Sequence, residues 1–188
     1  MSLQATTWQT VGPYFHIGLG HLDSNRIAAP DQGGEHFTIS GRVLDGIGQP
    51  IPDAVIEIWQ ADGNGEYPVV EGSSAAGKAL AFSGFGRILT DDHGRFSFTT
   101  IRPGPVPGPH GALQSPHLAV RLMMRGLLRG LVTRMYFPAA SLAADPVLQL
   151  VPELRRATLI ATLDPDRDAT LVWNIEMQGE RETVFFDC

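Results

Sequence analysis

The chain has 188 residues, of which 43% are hydrophobic and 18% charged, and its formal net charge at pH 7 is -6. This length and composition predict one globular domain with a full hydrophobic core, and the acidic balance argues against nucleic acid or an anionic membrane as the main partner. The single cysteine, Cys188, excludes a disulfide within the chain and a metal site built on cysteines.

The N-terminal sequence lacks the basic start and the apolar run of a signal peptide. No apolar run approaches the ~18 residues of a membrane span. We therefore predict a cytoplasmic protein with no membrane partner.

Residues 1–36 show little periodicity, and we predict that they form an N-terminal arm rather than an independent domain. Tyr14, Phe15, Ile17 and Leu19 make this arm too apolar for a solvated tail. Exposed apolar segments of this kind usually mark an interface, so a partner contact is favoured over a flexible terminus. The folded domain would then span residues 37–188.

Two alternating stretches come next in the chain. Residues 37–43 and 54–59 place apolar side chains on alternate positions, which predicts two half-buried strands. A Gly-rich turn then leads to Tyr67, at the rim of a sheet. On pattern alone this unit is either an ordinary hairpin with a surface tyrosine or a hairpin that presents a functional one.

The rest of the chain continues the strand pattern. Strands are predicted at residues 95–101, 117–123 and 171–177. Residues 102–116 contain five prolines and cannot form a central strand. Residues 151–163 are the best helix candidate. The many short apolar runs, punctuated by 21 glycines and 14 prolines, favour an all-β sandwich or barrel.

Standard catalytic motifs are absent from the sequence. It has no nucleophile elbow, no phosphate-binding loop and no zinc-ligand spacing. None of the six histidines has another at i+2 or i+4, so no strand or helix carries a two-histidine ligand unit.

Residues 39–67 nevertheless resemble the signature of the intradiol ring-cleavage dioxygenases. The signature glycines correspond to Gly41, Gly48 and Gly65, its acidic residue to Glu57 and its terminal aromatic residue to Tyr67. The resemblance implies a β-sandwich of mostly antiparallel strands, with an extended N-terminal arm and one or two short helices. It also implies a non-haem ferric iron held by two tyrosines and two histidines in the family.

Only half of this ligand set is present. Tyr67 matches the first tyrosine and His117 the first histidine, whereas Val106 stands at the second tyrosine position and Ala119 at the second histidine position. Valine and alanine have no donor atoms, so we predict no metal in this chain. We refer to residues 67, 106, 117 and 119 as the relict ligand positions.

The family includes enzymes built from two homologous chains, and residues 10–19 and 179–187 resemble the iron-free chain of such a pair. The resemblance implies a homologous iron-bearing beta chain as partner, with the non-haem Fe(III) in that chain. It also implies protocatechuate and O2 as substrates, with ring cleavage between the two hydroxyl-bearing carbons. No catalytic residue is then expected in this chain alone.

The resemblance further implies that this chain lines the substrate pocket near the partner's iron. The matching arm positions are Thr10, Gly12, Pro13 and Tyr14, and the matching arginine is Arg125. A guanidinium suits the substrate carboxylate because the two form charge-assisted, often bidentate hydrogen bonds. Three nearby arginines compete for this role: Arg121, Arg129 and Arg134.

Two alternatives stay open on the sequence. One alternative is a catalytically dead β-sandwich that serves as a scaffold or binding module. The other is a self-sufficient dioxygenase with unusual ligands. The metal content of the purified chain and the identity of the co-purifying protein distinguish them.

Overall fold

The computed structural model of the chain describes residues 6–12, 17–18, 20–68, 82–108 and 111–187. Its strands, in chain order, are β1 (His36–Leu44), β2 (Val55–Trp59), β3 (Phe85–Leu89), β4 (Arg95–Ile101), β5 (Val106–Pro107), β6 (Leu113–Gln114), β7 (His117–Met123), β8 (Leu131–Tyr136), β9 (Thr162–Leu163), β10 (Thr170–Val172) and β11 (Ile175–Glu176). Helix α1 spans Glu153–Arg156, and short 3-10 turns lie at Gly20–Leu22, Ala140–Ala144, Leu148–Leu150 and Ala157–Leu159.

The strands form two main sheets. A four-stranded antiparallel sheet has the order β3-β2-β7-β8, and a five-stranded sheet is centred on β1. In the second sheet β4 pairs antiparallel with β1, while β10 and β11 pair with it in parallel. The predicted all-β sandwich of mostly antiparallel strands with a short helix is confirmed.

The hydrophobic core lies between the two sheets because each sheet turns one apolar face inward. On β2 and β7 the inward side chains follow the predicted alternation. The fully buried members of this core are Ile39, Val43, Ala54, Ile56, Leu118, Leu122, Met135 and Ile175. Burial on this scale is the main favourable contribution to folding.

The last part of the predicted arm packs on the sandwich. Ser24 bridges to Arg87 of β3, and Arg26 bridges to Thr99 of β4. Ile27 and Ala28 are both 3% exposed, and Ile27 belongs to the core between the sheets. Residues 24–28 therefore add core contacts to the domain, although the sequence shows no alternation there.

The predicted helix at residues 151–163 is much shorter than expected. Pro152 lies at its N-cap, and α1 ends at Arg156 before one 3-10 turn. Ile160 then forms a parallel bridge with Tyr136, and β9 begins at Thr162. Tertiary strand pairing overrides the helical pattern in the second half of this segment. In the described part of the chain, no helix has the length and apolarity needed to cross a membrane.

Candidate functional site: relict ligand positions and the arm contact

Main-chain contacts join the turn before relict position 67 to the loop before relict position 106. Gly104 N donates to Asp62 O at 2.8 Å. A Cβ on Gly65, whose φ is +84°, would lie 2.2 Å from Pro105 O, and a Cβ on Gly104 would lie 2.5 Å from Gly65 N. Only glycine tolerates this combination of positive φ and close approach. The signature glycine at 65 thus holds the Tyr67 turn against residues 103–105, the Pro-Gly-Pro loop.

Tyr67 lies on the outer face of the four-stranded sheet. Its ring stacks on Trp59 with the centroids 6.1 Å apart and the planes 7° apart, and 41% of the residue is exposed. Burial raises the pKa of the Tyr67 phenol, and the charge of Arg134 acts in the opposite direction. Tyr67 is therefore a neutral phenol at pH 7.

The other three relict positions lie on strands β5 and β7. Val106 is 4% exposed and pairs with Gln114 across the small β5-β6 ribbon. His117 and Ala119 are two residues apart on β7, so their side chains point to one side of the sheet. His117 is 5% exposed, and its Nδ1 lies 2.8 Å from Ser115 O.

Arg134 of β8 reaches into this group. It stands directly opposite Ala119 in the β7-β8 register. Its Nη1 donates to Gln114 Oε1 at 2.7 Å and lies 3.4 Å from the Tyr136 hydroxyl. On the sequence alone Arg134 is only a rival of Arg125 for substrate recognition, and its place opposite Ala119 is not apparent.

Asp145 is a fully buried carboxylate beneath the same region. Its Oδ2 accepts the Ser115 N–H at 2.7 Å, and its Oδ1 accepts the Tyr136 hydroxyl at 3.1 Å, the Val147 N–H at 3.0 Å and the Leu148 N–H at 2.7 Å. Burial, the largest cause, raises the pKa of Tyr136 to about 12. Asp145 therefore ties the segment after β8 to Ser115, which lies between β6 and β7. In the sequence, the dipeptide Asp145-Pro146 indicates no more than a helix or turn start.

His117 is expected to make stability pH-dependent. Burial, and then the charge of Arg134, lower the pKa of His117. The unfolded state, with an ordinary histidine pKa of about 6.5, thus takes up the proton first as the pH falls. The stability contribution of neutral His117 is complete above about pH 6.5 and is lost as the pH falls toward the folded-state pKa. Urea unfolding of the full chain from pH 8 to pH 5 checks this, with His117→Gln expected to flatten the curve.

Replacement of the exposed His93 by glutamine is the matched control for that measurement. A His117→Gln chain whose unfolding free energy varies with pH as steeply as that of the parent would contradict the assignment.

The described part of the arm contacts the β7-β8 loop. Thr10 Oγ1 accepts the Gly126 N–H at 2.9 Å. Gly126 has a φ of +90° and follows Arg125 in a turn in which Leu127 N donates to Met124 O at 3.3 Å. The structure thus brings predicted site residues Thr10 and Arg125 together, although 115 positions separate them in the sequence. Gly12 is exposed, and Pro13 and Tyr14 lie outside the described residues.

The competing arginines differ in their contacts. Arg129 donates to Asp187 Oδ1 at 2.9 Å, and Arg134 is engaged as described above. Arg121 faces Glu57 across the β2-β7 pair. Its side chain lies close to Gly130, where an added Cβ would be 2.5 Å from the Arg121 Nε. Arg125 is exposed and forms no ion pair with the residues that the structure describes. Arg121 is likewise exposed and without an ion pair among these residues, but only Arg125 stands in the turn that contacts Thr10.

A cleft of about 540 Å³ lies between the arm and the β7-β8 loop. Its lining includes Thr6, Trp8, Val11, Met123, Leu128 and Arg129. Trp8 is 67% exposed and Leu128 61% exposed, so the cleft has apolar walls open to solvent. A larger groove of about 820 Å³ is lined by residues of β1, β3 and β4, and none of its lining residues is a predicted site residue.

The relict positions do not fit ferric iron. Val106 and Ala119 have no donor atoms, and a tyrosine with one histidine provides too few ligands for tight binding. Within the described ranges, no group of three or more His, Cys, Asp or Glu side chains is arranged to hold a metal ion. The arrangement therefore lacks the coordination chemistry that ferric iron needs.

A family profile described as Dioxygenase matches residues 10–179, which is most of the chain. The chain belongs to this dioxygenase family. The resemblance to intradiol dioxygenases drawn from residues 39–67 is confirmed, and dioxygenases of this family are known for non-haem iron.

Relatives named as dioxygenases match most of the chain. The chain is 43% identical to the protocatechuate 3,4-dioxygenase alpha chain of Burkholderia cepacia, with 99% of this chain and 98% of the relative covered. It is 36% identical to the beta chain from the same organism, over 84% of this chain and 67% of the relative. Among solved structures, the dioxygenase domain of a carbohydrate-binding fusion from Streptomyces sp. SirexAA-E has the same fold, with a TM-score of 0.62, 21% identity and coverage of 86% and 89%.

Proposed function

We propose that this chain is the iron-free alpha subunit of a protocatechuate 3,4-dioxygenase. The observation that carries the proposal is the loss of donor atoms at Val106 and Ala119 in a chain that is 43% identical, over nearly its full length, to a relative named as an alpha chain. Two ligands are missing while the loops that would present them keep their packing.

A homologous beta chain is the proposed partner, and it holds the non-haem Fe(III). The complex uses O2 to cleave protocatechuate between its two hydroxyl-bearing carbons. Both oxygen atoms enter the product, 3-carboxy-cis,cis-muconate. The 36% identity to a relative named as a beta chain supports the pairing, since one fold then supplies both chains. The exposed apolar walls of the arm cleft suit an interface of this kind.

This chain contributes the pocket wall and recognition of the carboxylate. Arg125, together with Thr10, Gly12, Pro13 and Tyr14, is proposed to contact the substrate. The hydrogen bond from Gly126 to Thr10 supports this, because it joins the arm to the turn that carries Arg125. Residues 1–36 are the proposed arm and residues 37–188 the proposed domain. A cytoplasmic location stays a prediction from the sequence.

Purification of the chain with and without its homologous partner tests the proposal. We expect the full chain alone to contain no stoichiometric ferric iron and to consume no O2 with protocatechuate. The complex is expected to contain about one iron per pair of chains and to turn over. Stoichiometric ferric iron in the chain alone, with a visible tyrosinate-to-iron absorption band, would overturn the proposal and favour a self-sufficient enzyme.

A further inference from the structure

The four relict ligand positions converge on one side chain. Ala119 faces Arg134 directly in the strand register, and Val106 faces Gln114, whose Oε1 accepts the Arg134 Nη1 hydrogen bond at 2.7 Å. His117 faces Tyr136, whose hydroxyl lies 3.4 Å from the same nitrogen.

Tyr67 completes this arrangement, because its ring stacks on Trp59, which pairs with Ala119 in the strand register. The charge of Arg134 acts on the Tyr67 phenol as well. Ala119 thus pairs with Arg134 itself, Val106 and His117 pair with its two hydrogen-bond partners, and Tyr67 feels its charge.

We propose that the guanidinium of Arg134 takes the place of the metal cation in this chain and excludes a metal ion from the relict site. Arginine keeps its positive charge at any pH at which proteins fold. This inference rests on the proposed iron-free role of the chain and names the residue that enforces it.

The size of Ala119 explains how the guanidinium is accommodated. Paired residues on neighbouring antiparallel strands have Cβ atoms about 5 Å apart, so an imidazole at position 119 would compete with the long Arg134 side chain for the same space. The loss of the second histidine and the presence of Arg134 therefore depend on each other. Gln114, on the ribbon that carries Val106, fixes the guanidinium in this position.

The contacts of Arg134 also leave its charge directed at the site. Among the described residues it forms no ion pair, and its hydrogen-bond partners, Gln114 and Tyr136, are neutral. The nearest carboxylate in this network is that of Asp145, which is reached only through the Tyr136 hydroxyl. An incoming metal ion would meet an uncompensated like charge.

Restoring the missing ligands tests the inference. We compare the full chain carrying V106Y and A119H, the same chain with R134A added, and a control with R129A added instead, which removes a nearby arginine outside the site. Each is loaded with Fe(II), oxidised in air and freed of unbound metal. We expect about one iron per chain and a visible tyrosinate-to-iron band only with R134A. Iron in the V106Y/A119H chain, or no gain over the R129A control, would overturn the inference.

Two further measurements keep the test decisive. The unmodified chain is treated in parallel, because stoichiometric iron there would overturn the proposed function itself rather than the role of Arg134. A double-mutant cycle without metal covers the case of poor folding. The urea midpoint should fall more for A119H in the presence of Arg134 than in the R134A background. Equal losses in the two backgrounds would mean that Arg134 does not occupy the site.

Discussion

Replacing Arg125 with alanine in the two-chain complex is expected to raise the KM for protocatechuate roughly 100-fold and to change kcat far less. Truncating one partner of a desolvated charge pair costs about 2–5 kcal/mol, and about 1.4 kcal/mol corresponds to a factor of ten. The effect falls on KM because the carboxylate is bound equally in the ground state and in the transition state. Steady-state O2 uptake with the purified complex measures both constants.

Two controls separate recognition from general damage. Arg129→Ala removes an arginine of the same loop whose guanidinium is already paired with Asp187, so it should leave KM nearly unchanged. Catechol, which has no carboxylate, should be turned over equally well by the parent and the Arg125→Ala complex. If Arg125→Ala keeps full activity and substrate affinity, the chain is a scaffold rather than part of the binding site.

Asp145→Ala is expected to lower the free energy of unfolding by about 3 kcal/mol or more. Each of its four donors would lose a charged acceptor in a buried position, and an unsatisfied buried donor costs about 1–3 kcal/mol. Urea unfolding of the full chain measures the loss. Among the donors are the Ser115 and Leu148 amides, so we expect β7 and the segment after β8 to loosen together.

Asp45→Ala is the matched control, because Asp45 Oδ1 also accepts two amide hydrogen bonds, from Ile47 and Gln49, but in an exposed turn. Water replaces the lost acceptor there, so the expected loss is about 1 kcal/mol or less. Equal losses for the two variants would contradict a special role for the buried carboxylate.

The sandwich was largely predictable because its signal is local. Alternation in residues 37–43, 54–59 and 117–123 follows from the two faces of a strand, and the buried side chains of β2 and β7 are the predicted ones. The relict positions were likewise readable from the motifs that flank Val106 and Ala119.

The rest of the site depends on pairings between distant segments, which no local pattern encodes. The hydrogen bond between Thr10 and Gly126 and the four contacts of Asp145 are examples. Arg134 looked like one of several surface arginines, and only the β7-β8 register assigns it to Ala119. The predicted helix at 151–163 failed for the same reason, since the bridge between Ile160 and Tyr136 is a long-range contact.

The contact of Gly65 with the Pro-Gly-Pro loop has a consequence for how such a chain diverges after gene duplication. The loop that carries Val106 is held by main-chain atoms of Gly104 and Asp62, so its path does not depend on which side chain stands at position 106. A duplicated copy can lose its metal ligands without losing the backbone around them. Division of labour between two homologous chains therefore needs few substitutions, because the chain without metal ligands keeps the backbone that surrounded them.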